Sequence, residues 1–170
     1  MQAADGSWQS ATSATGRVLE VPLGVQAVKI APIEPFQPQP DHSVKATFGN
    51  QLALVGYDLN ATTGEITLYW QALGSMQHDY TTFVHVLAAD GTLITQADGQ
   101  PQNGRYPTSI WEAGEFVADP KALPFVADGA TPAQIAIGVY ALETQQRLPV
   151  FDDAGEQLPN DQLLLSNLFK

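Results

Sequence analysis

The chain has 170 residues and no cysteine. That absence excludes disulfide staples and a thiol nucleophile, and it removes the thiolates from which zinc sites are commonly built. It does not discriminate compartment, because a reducing cytosol and an exported domain without bridges both tolerate it. Positive charge is scarce as well. Seven Lys and Arg face eighteen Asp and Glu, a net charge of −11. Such a surface repels phosphate backbones and anionic headgroups, so no nucleic acid partner and no direct membrane insertion by this segment is expected. No apolar run approaches the ~18 residues of a spanning helix. The N-terminus lacks the basic flank and apolar stretch of a signal peptide, but MQAADGSWQSATSATG reads as a piece cut from a larger protein, which makes that lack uninformative. Helical rhythm is missing too: no window of a dozen residues keeps apolar side chains at i, i+3, i+4 and i+7.

What the chain does have is strand-like runs separated by turn residues. Leu52 to Tyr57, Ile66 to Leu73, Thr82 to Leu87, Thr92 to Ala97, Gly114 to Ala118 and Ile135 to Leu142 are rich in β-branched and aromatic residues, and each is bounded by Gly, Asn, Asp or Pro. Asp90-Gly91, Asp98-Gly99 and Asn103-Gly104 read as tight turns, since these residues accept positive φ. Six or more strands at this spacing predict an all-β protein with little helix. The expected architecture is an antiparallel β-sandwich, immunoglobulin-like or jelly-roll-like. The tail, Asp161 to Leu168, reads as either a short helix or a last strand.

Residues 1 to 16 have the composition of a weakly held terminus. Val18 to Ile30 has β character, but Pro22 restricts it to an edge strand or a bend. Pro32, Pro35, Pro38 and Pro40 then favour an extended polyproline segment, a linker or packed edge rather than a docking peptide. The expected division is a flexible segment over 1–41 and a sandwich domain over 42–170.

Alternation assigns faces. Ile66, Leu68 and Trp70 should point inward, with Thr67, Tyr69 and Gln71 outward. Ile135, Ile137 and Val139 should be core residues, leaving Ala136, Gly138 and Tyr140 outside. In TTFVHVL both Phe83, His85 and Leu87 and the opposite pair Val84 and Val86 are apolar enough to be covered.

With strands and turns in place, the pieces TFGNQLALVGYDL, ITLYWQAL, DYTTFVHVL, DGTLITQADGQPQNGRYPTSIWEAGEFVADP and IGVYALETQQRLPV can be compared with known modules. Residues 47 to 151 resemble a β-sandwich domain that follows the membrane region of bacterial dolichyl-phosphate-mannose mannosyltransferase-like glycosyltransferases. The GRYPTSIWEAGE and GYDL blocks are the most distinctive parts. The resemblance implies a periplasmic or cell-surface accessory domain of a larger membrane protein, partnered by glycan or by the membrane portion of its own parent. It carries over no catalytic residue, because the transferase chemistry would reside in the membrane portion.

The residues themselves point the same way. His42, His78 and His85 are scattered, and there is no Gly-x-Ser-x-Gly elbow, so a nucleophile with its base is not legible. Glu112, Glu115 and Asp119 lie close in sequence, but nothing near them would split their pKa values as glycoside hydrolysis requires. No transition-metal ligand set is present. Structural calcium would draw on Asp90, Asp98, Asp128, Asp152, Asp153 and Glu156, although FDDAGEQLPND lacks EF-hand spacing and ordinary turn chemistry accounts for most of these residues. Sugar contact is the more pointed candidate, since an outward ring flanked by amides or hydroxyls suits a sugar's C–H face. The candidate ligand-binding residues are Tyr69 with Gln71, His85, the loop set Gln102, Asn103, Arg105, Tyr106 and Trp111, and Tyr140. Together these features lead to a non-catalytic accessory or interaction domain, with an independent carbohydrate-binding module as the alternative.

Overall fold

The computed structural model describes residues 35–123 and 131–168, together with two short N-terminal strands. The chain falls into two compact units, Met1–Ala31 and Pro32–Lys170. In the first, β1 (Ala11–Thr12) pairs antiparallel with β2 (Val18–Leu19). The rest of the strand expected over 18–30, and most of the terminus expected to fray, lie outside the described residues.

The second unit is the antiparallel β-sandwich that the alternation predicts. Its strands are β3 (His42–Phe48), β4 (Leu52–Asn60), β5 (Glu65–Ala72), β6 (Tyr80–Leu87), β7 (Leu93–Gly99), β8 (Phe116–Ala122), β9 (Gln134–Ala141), β10 (Gln146–Arg147), β11 (Val150–Asp152) and β12 (Leu163–Ser166). One sheet has the order β11-β3-β4-β5-β8 and the other β10-β9-β6-β7. The tail resolves to a strand: β12 pairs with Gln134 to Ile137 on β9, while β10 pairs with Tyr140 and Ala141. The two short strands therefore share one edge of β9, whose other edge is taken by β6.

The core is built by the period-two pattern. Ile66, Leu68 and Trp70 of β5 are buried, as are Val84 and Val86 of β6 and Ile135, Ile137 and Val139 of β9. Each such side chain contributes about 1.5–3 kcal/mol relative to exposure. Trp70 meets Phe48 edge to face at 5.1 Å.

Two local features depart from the simple pattern. Val55 is an extra residue in the register of β4 with β5, and the register of β3 with β4 shifts between Ser43 and Ala46, so Leu52 and Leu54 point inward before the β4 bulge and Tyr57 after it. The bulge turns Gly56 outward beneath Pro40, where a Cβ would sit 2.3 Å from the proline ring. The proline-rich segment is thus packed at its end: Pro40 covers Gly56, the Asp41 N–H donates to Asp58 Oδ1 at 2.7 Å, and Phe36 lies 6.2 Å from the Tyr69 ring. The second departure is Asp98-Gly99, which is not a turn. Both residues lie within β7, opposite Phe83 and Thr82, because Gly99 leaves room for Lys121 and Thr82 to reach its carbonyl.

Candidate functional site

Tyr69 does face outward on β5, and the fold uses it. Its hydroxyl donates to Asp58 Oδ2 at 2.6 Å. That hydrogen bond, then partial burial and the charges of Asp58 and Asp41, push its pKa up to about 12. Gln71 is half-buried on the same face, paired in register with Ala53 and Phe116.

The GRYPTSIWEAGE loop is turned inward. Trp111 is buried, donates from Nε1 to Tyr106 O at 3.0 Å and stacks on the Tyr106 ring at 6.2 Å. Tyr106 in turn donates to Glu115 Oε1 at 2.6 Å, and Glu115 Oε2 accepts the Glu112 N–H at 2.9 Å. Gln102 and Asn103 hold left-handed φ values of 52° and 57°. Such backbone persists where contacts over-determine it. Here the Gln102 N–H donates to Asp119 Oδ1 at 2.9 Å and its side-chain amide to Ala118 O at 3.0 Å. Asn103 and Arg105 are the exposed members of this set.

Asp119 is close in sequence to Glu112 and Glu115 but does not share their loop. It lies instead within β8, fully buried, with its Oδ2 2.9 Å from the Thr82 hydroxyl and 3.4 Å from Lys121 Nζ. Lys121 donates to Gly99 O at 2.9 Å. A charged pair joining β8 to the opposite sheet was not anticipated, although the alternation of Val117, Asp119 and Lys121 carries the signal for it.

The outer face of the second sheet brings His85 and Tyr140 together around Phe83. Centroid separations from Phe83 are 4.6 Å to His85 and 6.4 Å to Tyr140, with interplanar angles of 34° and 39°. The Phe83 ring lies against Gly138, where a Cβ would come within 2.1 Å of it, and the Arg147 guanidinium covers it at 4.5 Å. Phe83 is consequently only 1% exposed although it sits on an outward position. His85 Nε2 lies 3.1 Å from Asp98 Oδ1. Burial, then the Asp98 charge, raise the Tyr140 pKa, partly opposed by a hydrogen bond with Thr81.

A concavity is lined by none of these expected residues. A cleft of about 580 Å³ is lined by residues 77–80, Gln100, and residues 141–144 and 146–149. Its size lies in the ~300–1,000 Å³ range of small-molecule sites. Sequence reasoning missed it because its residues come from the β5–β6 loop and the β9–β10 hairpin, which no local pattern connects. The GRYPTSIW loop supports this cleft from behind. Thr108 Oγ1 accepts the Tyr80 N–H at 2.8 Å and donates to His78 O at 2.9 Å, while the Ser109 N–H donates to Asp79 Oδ1 at 3.2 Å. Arg147 is also fixed, donating from Nη1 to Asn160 O at 2.9 Å and to Gln162 Oε1 at 3.3 Å.

Among the described residues no group of three His, Asp or Glu side chains could hold a metal ion. Asp152 Oδ1 instead accepts the N–H groups of Ala154 and Glu156, and Asp90 Oδ1 accepts that of Thr92, which lowers the Asp90 pKa. Asp128 lies outside the described residues. Among these residues no helix is long and apolar enough to cross a membrane.

Compared with known proteins, the chain matches no family model, no curated protein and no solved structure.

Proposed function

We propose that the chain is a non-catalytic accessory domain of a membrane glycosyltransferase-like protein, placed on the extracytoplasmic side with a structural or substrate-positioning role. The observation that carries this reading is the employment of the chemistry-bearing side chains. Glu112, Glu115 and Tyr106 bond within one loop, Asp119 and Lys121 form a buried pair on β8 that bonds to Thr82 and Gly99 of the other sheet, and Tyr69 and Asp58 clamp the proline-rich segment. A nucleophile or acid–base pair must be free to meet substrate, and these groups are committed to the fold. The resemblance over residues 47–151 supplies the glycosyltransferase context and the membrane portion as partner.

The test uses the natural reading frame. Deleting residues 42–170 should lower glycosyl transfer by the parent while the remaining membrane portion still inserts. A tag beside Lys170 should be cleaved by protease added outside intact spheroplasts. Unchanged transfer, or a protected tag, would sink the proposal. A second reading, an independent carbohydrate-binding module, is favoured by the cleft and by the Phe83, His85 and Tyr140 rings gathered on one sheet face.

A further inference from the structure

We infer that the cleft between the β5–β6 loop and the β9–β10 hairpin is a binding site for a soluble neutral oligosaccharide. The inference deepens the accessory-domain proposal, resting on its non-catalytic character, and assigns ligand contact to residues other than the outward rings.

Three observations converge on the cleft. The first is unused polarity. Among the described residues no hydrogen bond occupies the side chains of Gln77, Glu143 or Gln146, which line the cleft. Asp79 spends Oδ1 on the Ser109 N–H, and its other oxygen retains acceptor capacity. Amides and carboxylates in this combination offer both donors and acceptors, as vicinal hydroxyl groups require. The second is the apolar contribution of Leu142, Leu148 and Pro149 to the same lining, which suits the C–H face of a pyranose. Leu142 is 54% exposed, so its side chain is open to contact from the cleft.

The third observation is charge and rigidity. Two carboxylates, Asp79 and Glu143, against one guanidinium, Arg147, leave the lining with a formal charge of −1, on a chain whose net charge is −11. Phosphorylated or uronic-acid sugars are therefore repelled, and a neutral polyol is not. Thr108 and Ser109 hold the His78 carbonyl and the Asp79 carboxylate, and Arg147 is held by Asn160, Gln162 and the Phe83 ring, so this part of the lining is set before binding. Thr108 and Ser109 act as positioning residues, which gives the GRYPTSIW loop a role toward the ligand without contact.

The experiment is a titration of the 15N-labelled full chain, followed by amide NMR, with neutral oligomers of hexoses and of N-acetylhexosamines, and with a phosphorylated sugar as control. Fluorescence is a poor reporter here because Trp70 and Trp111 are buried. Saturable shifts should appear at Gln77–Tyr80 and Ala141–Arg147 with at least one neutral oligomer. The Glu143→Ala, Gln146→Ala double variant, altered only at exposed hairpin positions, should keep the wild-type spectrum elsewhere and bind about tenfold more weakly. Absence of shifts up to about 10 mM, where even a millimolar site would be filled, overturns the assignment. So do shifts confined to the Tyr140 and His85 face, preference for the phosphorylated sugar, or unchanged affinity in the double variant. Shortened oligosaccharide in the same tubes would leave the binding site standing and overturn the non-catalytic reading, so the two failures are separable.

Discussion

At the scale of single residues the sandwich depends most on one acid. Asp119 is fully buried and satisfies three donors at once: the Thr82 hydroxyl, the Gln102 N–H and, at 3.4 Å, the Lys121 ammonium. Replacing one member of such a pair strands the other charge in the core, so Asp119→Ala should cost about 3–5 kcal/mol in urea unfolding. The double variant Asp119→Leu, Lys121→Met removes both charges and should lose less than the single one. A double variant weaker than Asp119→Ala would contradict this account. Tyr69 offers a second test. Its pKa of about 12 in the folded chain stands above the ~10 of an unfolded tyrosine. Below pH ~10 both states keep the proton and stability does not respond to it. Above that value the unfolded chain deprotonates first, so the contribution is lost as pH rises through about 12. Burial raises Tyr57 and Tyr140 in the same direction. Tyr69→Phe should therefore flatten part of the alkaline decline seen by circular dichroism, and identical profiles would refute the Tyr69–Asp58 bond.

At the scale of elements, β12 is the most separable part. It completes the β9 edge next to Ile135 and Ile137, and Leu165 is its one buried side chain. Truncation after Gln162 should leave four β9 residues without ladder partners on the edge away from β6, exposing a hydrophobic edge that invites pairing between molecules. Light scattering should then report aggregation, with a lower urea midpoint for whatever remains monomeric; a monomeric variant of wild-type stability would contradict the role given to β12. The strands were legible because alternation is a local signal: β5 buries Ile66, Leu68 and Trp70 and β9 buries Ile135, Ile137 and Val139 as expected, although Ala136 and Gly138, expected outside, are covered as well. The β4 bulge was not, since Val55 is as good a strand former as its neighbours and the shift is imposed by Gly56 beneath Pro40. The burial of Asp119 was not legible for a related reason. A charge on an inward position is tolerable only with partners from β6 and the Pro101–Gly104 turn, and those are distant in sequence. The cleft was invisible altogether, because residues 77–80 and 141–149 meet only after folding.

At the scale of the whole molecule the dominant quantity is charge. With −11 on 170 residues, self-repulsion opposes the compact state. The exposed pair Lys45–Asp153 at 3.6 Å, with both side chains over 70% exposed, does little to offset it. Screening lengths fall from ~30 Å at 0.01 M salt to ~3 Å at 1 M. Sodium chloride should accordingly raise the melting temperature by a few degrees across that range, while leaving the cost of Asp119→Ala nearly unchanged because that pair is shielded from solvent. A melting temperature that falls with salt would show that attractive surface pairs dominate.

The three successive left-handed residues Gln102, Asn103 and Gly104 have a further consequence, one of chemical lifetime. Asn followed by Gly is the dipeptide in which the next backbone nitrogen most readily attacks the side-chain amide, and Asn103 is exposed. Here that nitrogen donates to Gln100 O at 3.3 Å, and the turn behind it is anchored to Asp119. The attacking atom is tethered while the chain is folded and released when it is not. Deamidation at Asn103, followed by peptide mapping of aged samples, should run slower in buffer than in urea. The same carboxylate that joins the two sheets then also protects the loop from ageing.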